Sequence, residues 1–279
     1  MAYHRPRSVH EALSLLNADP DARLLAGGQS LVATMNLGLF EPSALVALAG
    51  VEGLRGIVRL DDGSVCIGAM TTHAEIAASA LFSGGQRLLP LTASQIADPA
   101  VRNFGTIGGA CAHGDSIADW PPALVAADAQ MVITGLEGTR EVPAGEFFLG
   151  LFTTAVEAGE ILTSIRIPPL AGHAAYRKFT RVDGDYATVS VAVVAQALHG
   201  RCKTVAIAVG SCGPSPVRLA EAEALLVDMP VDASLANLAG QKLAAACDPI
   251  SDVRGSAAYR RRIVPGLVAQ TLLEVLAHE

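Results

Sequence analysis

Two glycine-rich segments, about eighty residues apart, constrain this chain more than any other feature. The first is Ala26-Gly27-Gly28-Gln29-Ser30. The second is Thr106-Ile107-Gly108-Gly109-Ala110, which continues into Cys111-Ala112-His113-Gly114-Asp115. Lacking a Cβ, glycine lets the backbone curl until successive N–H groups converge on an anion. Each segment also carries a hydroxyl residue at its edge, Ser30 in one and Thr106 in the other. Two such turns predict one ligand with two phosphates, held from both sides. Neither segment reads G-x-G-x-x-G, so a Rossmann site is not indicated. No G-x-x-x-x-G-K-S/T occurs, which removes the P-loop NTPases.

Composition narrows the ligand class further. With 51% hydrophobic and 17% charged residues, 279 residues can bury a sizeable core, and disorder is excluded. The net charge is −7, and no basic block is interleaved with aromatics, so a nucleic-acid backbone is not the partner. The one basic run, Arg260-Arg261-Arg262, reads as a solvated helix face or a subunit contact. The five cysteines (Cys66, Cys111, Cys202, Cys212, Cys247) are odd in number and form no C-x-x-C pair. That spacing predicts free buried thiols in a reducing compartment, without a disulfide framework, iron–sulfur cluster or zinc site. The Met-Ala-Tyr-His-Arg-Pro start has no apolar signal core. The longest apolar run, Ala187–Leu198, is too short to span a bilayer. A soluble, cytoplasmic protein is expected.

Periodicity and turn signals give a coarse map. Ser8 with Glu11 predicts a capped helix. A strand at Arg23–Leu25, a helix at Leu31–Leu37 and a strand at Leu45–Leu48 form a small βαβ-like start. Asp62-Gly63 predicts a hairpin within Gly56–Met70, and Thr72 with Glu75 predicts a second capping box. Helices are expected at Gln86–Ala97, ended by Pro99, and near Pro121–Ala127. A hairpin at Gln130–Val142 and a strand at Glu160–Ile167 follow. Pro168-Pro169 marks a domain boundary. Beyond it, three strands (His173–Val182, Ala187–Leu198, Lys203–Val209) precede three helices (Val217–Asp228, Ala233–Cys247, Ala257–Ala277). Strands followed by helices predict an α+β C-terminal domain.

Several residues invite a catalytic or metal reading that the pattern does not support. His113, Asp115 and Asp119 lack further spaced ligands, so no metal site is expected. Cys111 has no partnered base and reads as a packed thiol. His73 belongs to a helix start, and Trp120 reads as an anchor for the helix after it.

The full wording of the two segments carries more information than the glycines alone. Leu25-Ala26-Gly27-Gly28-Gln29-Ser30-Leu31 is followed by Ala97-Asp98-Pro99-Ala100-Val101-Arg102-Asn103-Phe104-Gly105-Thr106-Ile107-Gly108-Gly109. With Tyr3-His4-Arg5-Pro6, Ile67 to Ile76 and Gly184-Asp185-Tyr186-Ala187, this resembles the FAD-binding medium subunits of the molybdenum hydroxylases. The family includes the flavoprotein subunit of aerobic carbon monoxide dehydrogenase and the FAD domain of xanthine dehydrogenase. The resemblance covers nearly the whole chain.

The resemblance implies a p-cresol methylhydroxylase-type FAD-binding fold in two lobes, residues 1–55 and 56–170. It also implies a C-terminal flavoprotein domain, residues 171–279, with a three-stranded antiparallel sheet and helices. It implies that Ala26, Gly27, Gly28, Gln29 and Ser30 form the first FAD loop, whose amides and serine hold the pyrophosphate. Thr106, Ile107, Gly108, Gly109 and Ala110 match the second loop, closing on the same phosphates. Asp119 matches an acidic residue that meets the ribityl chain. Tyr186 matches an aromatic beside the isoalloxazine ring, and Leu162 and Lys178 lie in segments that approach the flavin. Position 110 is alanine where the family often has asparagine, and position 113 is histidine where many relatives have asparagine. The implied role is electron transfer, with no catalytic residue acting on the organic substrate. FAD would take electrons from [2Fe–2S] clusters of a small subunit, fed by the molybdenum cofactor of a large subunit, and pass them to an external acceptor. A dimer of heterotrimers is the implied assembly. The alternatives are a stand-alone FAD oxidoreductase of the same fold and a flavin-less scaffold subunit.

Overall fold

The computed structural model describes residues 1–277. The chain begins with strand β1 (Ala2–His4), helix α1 (Val9–Ala18), β2 (Arg23–Leu25), α2 (Leu31–Asn36) and β3 (Ala44–Ala47). The three strands are parallel in the order β1-β3-β2. Central β3 reads Ala-Leu-Val-Ala and is buried throughout, the unbroken apolar run of a strand covered on both faces. Ser8 caps α1 by accepting the Glu11 amide at 3.1 Å. Glu11 reaches back to the amide of Arg7, one residue before the expected partner. Leu13, Val46, Leu48 and Leu54 pack together beside this sheet, with Met70 and Ile161 in the same cluster.

Next come β4 (Ile57–Arg59), β5 (Val65–Gly68), and helices α3 (His73–Ala78), α4 (Leu88–Ser94), α5 (Pro99–Phe104), α6 (Ile107–His113) and α7 (Trp120–Ala126). Hairpin β6 (Gln130–Gly135) and β7 (Gly138–Pro143), helix α8 (Ala144–Phe147), ribbon β8 (Phe148–Gly150) and β9 (Thr153–Thr154), and β10 (Ile161–Ile167) complete this region. The larger sheet has the order β4-β5-β10-β6-β7, with antiparallel pairing. The Thr72–Glu75 capping box forms as expected.

Two expectations fail here, one over the helix and its proline and one over the second glycine segment. The helix predicted over 86–97 opens as a 3₁₀ turn at Gly84–Arg87 and stops at Ser94. Pro99 does not merely end a helix. Asp98 accepts the Val101 amide at 2.9 Å as N-cap, and Pro99 takes the first helical position of α5, where its missing N–H costs nothing. The second glycine segment is not a turn either. Thr106 caps it and it runs on as helix α6.

The C-terminal region holds β11 (His173–Phe179), β12 (Val189–Leu198), β13 (Arg201–Gly210) and β14 (Val217–Arg218), then α9 (Ala220–Ala224), α10 (Ala233–Ala246) and α11 (Ala257–Leu276). Its antiparallel sheet has four strands, β11-β12-β13-β14, where three were expected. The start of the helix expected at 217–228 is the extra strand: Val217 and Arg218 pair with Val209 and Ala208 at the edge of β13. Arg218 is tied to Glu223 at 2.8 Å and to the Val125 carbonyl at 2.9 Å, which holds the segment extended against the central region.

Alternation along β12 and β11 decides which residues face the site. Val189, Val191, Val193 and Ala175 pack on α10 and α11. Tyr176, Ala192, Val194 and Ala208 pack the other way, into the central core with Ile67, Trp120 and Phe147. Lys178 follows Tyr176 by two and shares that inward face. Among the described residues, no helix is long and apolar enough to cross a membrane.

Candidate cofactor site

The first glycine segment links β2 to α2 and leaves its donors open. Among the described residues, no acceptor in the chain takes the amides of Gly27, Gly28, Gln29 or Ser30. Gly28 sits at φ +75°, a left-handed conformation that turns consecutive N–H groups toward a common side. Ser30 stands at the N-cap of α2, yet its side chain caps nothing. Helix α2 has no buried residue, although Leu31, Val32 and Met35 are apolar. Gly27 is required for a different reason: a Cβ there would lie 2.0 Å from the carbonyl oxygen of Phe104. The turn therefore rests directly on the end of α5, immediately before the second segment.

In the second segment the amides from Ile107 to Ala110 are committed. Ile107 donates to the Thr71 carbonyl at 3.0 Å and Gly108 to that of Ala69 at 2.9 Å. Gly109 donates to Thr106 Oγ1 at 3.2 Å, and Ala110 to the Thr106 carbonyl at 3.0 Å. Its glycines serve close approach. A Cβ on Gly108 would lie 2.4 Å from that of Ala69, and one on Gly109 would lie 3.2 Å from that of Ala26. The two segments are neighbours, with Ala26 against Gly109 and Gly27 against Phe104. The amides from Ile107 to Ala110 are not available to an anion, because the Ala69 and Thr71 carbonyls just after β5 and the Thr106 cap already hold them.

Asp119, Lys178 and Tyr176 meet between α7 and β11. Lys178 Nζ donates to Asp119 Oδ2 at 3.0 Å, with side chains only 5% and 7% exposed. Lys178 also donates to the Gln95 carbonyl at 3.2 Å. Tyr176 donates its hydroxyl to Asp119 Oδ1 at 2.6 Å. Burial pushes the Asp119 carboxyl up, while Lys178 and the Tyr176 hydroxyl pull it down. Burial, then the Asp119 charge, holds the Tyr176 phenol well above its ordinary range. A cavity of about 430 Å³ reaches Lys178, bordered by Gln95, Asp98, Arg102, Thr180 and Asp183.

Tyr186 lies in the loop after β11 and is 43% exposed. The Arg254 guanidinium sits 5.2 Å from its ring centroid and bonds Asp185 Oδ1 at 3.0 Å, bracing the loop from the far side. Leu162 is placed differently: its side chain is buried in the central core, so any approach to a ligand falls to its backbone.

The residues set aside on sequence grounds go separate ways. His113 packs on the Phe152 ring, and Asp115 accepts the Ile117 amide. Among the described residues no three of His, Cys, Asp and Glu gather as a metal site. Cys111 is fully buried, which pushes its thiol far up. Trp120 donates to His73 Nδ1 at 3.2 Å. Burial, with Arg102 nearby, lowers the His73 pKa to about 4, so it stays neutral. Sequence reasoning missed Tyr176 and Arg254. Tyr176 carries a legible signal, two residues before Lys178 on a predicted strand. Arg254 carries none, because a loop sixty-eight residues beyond Tyr186 brings it there.

The chain is similar to known proteins along nearly its whole length. Residues 1–170 match the model of the FAD binding domain in molybdopterin dehydrogenase. Residues 174–275 match that of the CO dehydrogenase flavoprotein C-terminal domain. The carbon monoxide dehydrogenase medium chain of Afipia carboxidovorans is 40% identical, over 94% of this chain and 91% of that protein. The nicotine 6-hydroxylase medium subunit of Paenarthrobacter nicotinovorans is 35% identical, over 98% of this chain and 96% of its own. The solved carbon monoxide dehydrogenase of Hydrogenophaga pseudoflava superposes with a TM-score of 0.96 at 38% identity, covering 100% of this chain and 98% of that one. With both family domains matched and relatives 35–40% identical along nearly its whole length, the chain belongs to the FAD-binding medium subunits of the molybdenum hydroxylases, a family of oxidoreductase subunits.

Proposed function

We propose that this chain is the electron-transfer subunit of a molybdenum-containing hydroxylase or dehydrogenase. It receives electrons from [2Fe–2S] clusters of a small subunit and passes them to an external acceptor. A large subunit holds the molybdenum cofactor and oxidises the organic substrate, and the assembly is a dimer of heterotrimers in the cytoplasm. The observation that carries this reading is the run of open amides from Gly27 to Ser30. Such a row is costly to leave unpaired once covered, and a diphosphate supplies the acceptors.

The remaining residues fit FAD. The Ser30 hydroxyl is uncommitted and adds a donor beside the amides. Thr106, Ile107, Gly108, Gly109 and Ala110 form the wall on which that turn rests. Asp119 accepts hydrogen bonds from the ribityl chain, Lys178 fixes its charge, and Tyr186 flanks the ring system. Leu162 backs the site from the core. We divide the chain into FAD lobes at 1–55 and 56–170 and a C-terminal domain at 171–279, in a p-cresol methylhydroxylase-type arrangement. Bound FAD supplies reversible acceptance of two electrons and their release one or two at a time. The chain binds, orients and shields it.

The test is the visible spectrum of the chain purified through a tag from cells that make its partners, with identification of the released chromophore. A two-band flavin spectrum, released FAD, and co-purifying molybdenum and iron support the proposal. A colourless complex identifies a scaffold subunit. Substrate turnover by the isolated chain identifies a stand-alone oxidoreductase.

A further inference from the structure

We propose that Tyr176 is a positioning residue for the cofactor site, holding the Asp119 carboxylate in one orientation as a pure hydrogen-bond acceptor. The proposal rests on the reading of Asp119 as a cofactor contact. Asp119 occupies the N-cap position of α7, where an aspartate ordinarily turns back onto its own helix. Here its side chain caps nothing and instead crosses to β11. Two donors from one face of that strand take one oxygen each: Tyr176 at 2.6 Å on Oδ1 and Lys178 at 3.0 Å on Oδ2.

Two points fix the plane of a carboxylate, so its rotation is stopped. Each oxygen keeps a lone pair for another donor. The Lys178 contact alone leaves one oxygen unpinned and supplies a point charge without directional preference. The Tyr176 ring is buried in the central core, so the hydroxyl position is set by packing rather than by the bond it makes.

The donor also adds to Lys178 in favouring the charged form of Asp119. The groups that bear on it are Tyr176 and Lys178 from β11 and Tyr186 from the following loop, itself influenced by Asp115 before α7. Burial drives the carboxyl toward its neutral acid, and only the β11 donors oppose this. A protonated Asp119 would present a donor to hydroxyl groups that also donate, and would lose an acceptor. Removing the phenol hydroxyl therefore moves protonation of Asp119 to higher pH.

The experiment compares wild type, Tyr176→Phe and Asp119→Asn in the complex isolated through a tag on this chain. FAD dissociation is read by flavin fluorescence from pH 8 to pH 5.5, and thermal melting checks the fold. Tyr176→Phe keeps the ring and its packing. It is expected to bind FAD about threefold to tenfold more weakly at pH 8, the net worth of one ordinary hydrogen bond acting through Asp119. Its deficit should grow on acidification, because Asp119 loses a donor that favours its charged form and takes up a proton at higher pH. A deficit that is equal at every pH assigns Tyr176 to packing and overturns the proposal, as does wild-type binding throughout. Wild-type FAD retention in Asp119→Asn overturns the underlying reading of Asp119, and the proposal with it. A loss in Asp119→Asn with an unchanged Tyr176→Phe overturns the positioning role alone.

Discussion

The two glycine segments look alike in sequence and do opposite work in the fold. Ala26–Ser30 holds its amides open and rests on a neighbour. Thr106–Ala110 spends four of its amides, Ile107 to Ala110, on Thr71, Ala69 and Thr106, and becomes that neighbour. In the first, Gly28 is needed for a left-handed backbone angle. In the second, Gly108 is needed because Ala69 leaves no room. A glycine pair thus signals two distinct demands, access of the backbone to a ligand and access of one backbone to another. Only the hydrogen-bond partners distinguish them.

The largest expected effect falls on the first segment. Gly28→Val places a β-branched residue at φ +75° with Val32 Cγ2 already 3.2 Å from the Cβ position. The turn must reorganise, and the converging amides separate. Loss of two hydrogen bonds to a charged group, roughly 1.5–3 kcal/mol each, predicts at least a hundredfold weaker FAD retention. The left-handed strain itself costs only about 1–2 kcal/mol, so the fold should survive. Bound flavin per chain and a melting curve measure both, and normal flavin content would remove the segment from the site.

Gly108→Ala should show the reverse. Alanine improves helix propensity by about 1 kcal/mol. Against this, the new methyl would sit 2.4 Å from Ala69 Cβ and 2.7 Å from the Ala69 carbonyl oxygen, so β5 or α6 must shift. Overpacking of this kind costs about 1–3 kcal/mol, and the clash wins. The melting temperature should fall, with FAD lost only in proportion to unfolding. Selective FAD loss at unchanged stability would show that the second segment contacts the ligand more directly than its committed amides suggest.

Much of this was legible before the fold was known. The capping box at Thr72–Glu75, the hairpin around Asp62-Gly63 and the long apolar β12 follow from local pattern, because local partners decide them. Some errors occur where a distant partner contributes. The edge of β13 recruits Val217–Arg218 into a strand, and Ala69 turns a glycine pair into the start of a helix. Pro99 was legible as a boundary, but its side was not. Only the Asp98 cap shows that it opens α5. At the proposed site, the glycine segments are legible as motifs, whereas the contacts of Tyr176 with Asp119 and of Arg254 with Tyr186 depend on β11 pairing and on a remote loop.

The finest test sets the two hydroxyl residues against each other. Thr106 and Ser30 occupy equivalent places, each at the N-cap of the helix that its glycine segment opens or precedes. Thr106 Oγ1 accepts the Gly109 amide at 3.2 Å, so Thr106→Ala removes a working cap worth about 1 kcal/mol. Its melting temperature should drop while the affinity of folded protein for FAD stays near wild type. Ser30 makes no cap bond, so Ser30→Ala should leave stability within about 0.5 kcal/mol of wild type. Its hydroxyl is open beside the amides, and its loss should weaken FAD by roughly twofold to tenfold, the net worth of one hydrogen bond. The two variants thus separate along different axes, one in melting and one in binding. If Ser30→Ala instead melts earlier and binds FAD normally, the serine is a structural cap that closes in solution. The open face of the first segment would then be narrowed to its amides alone.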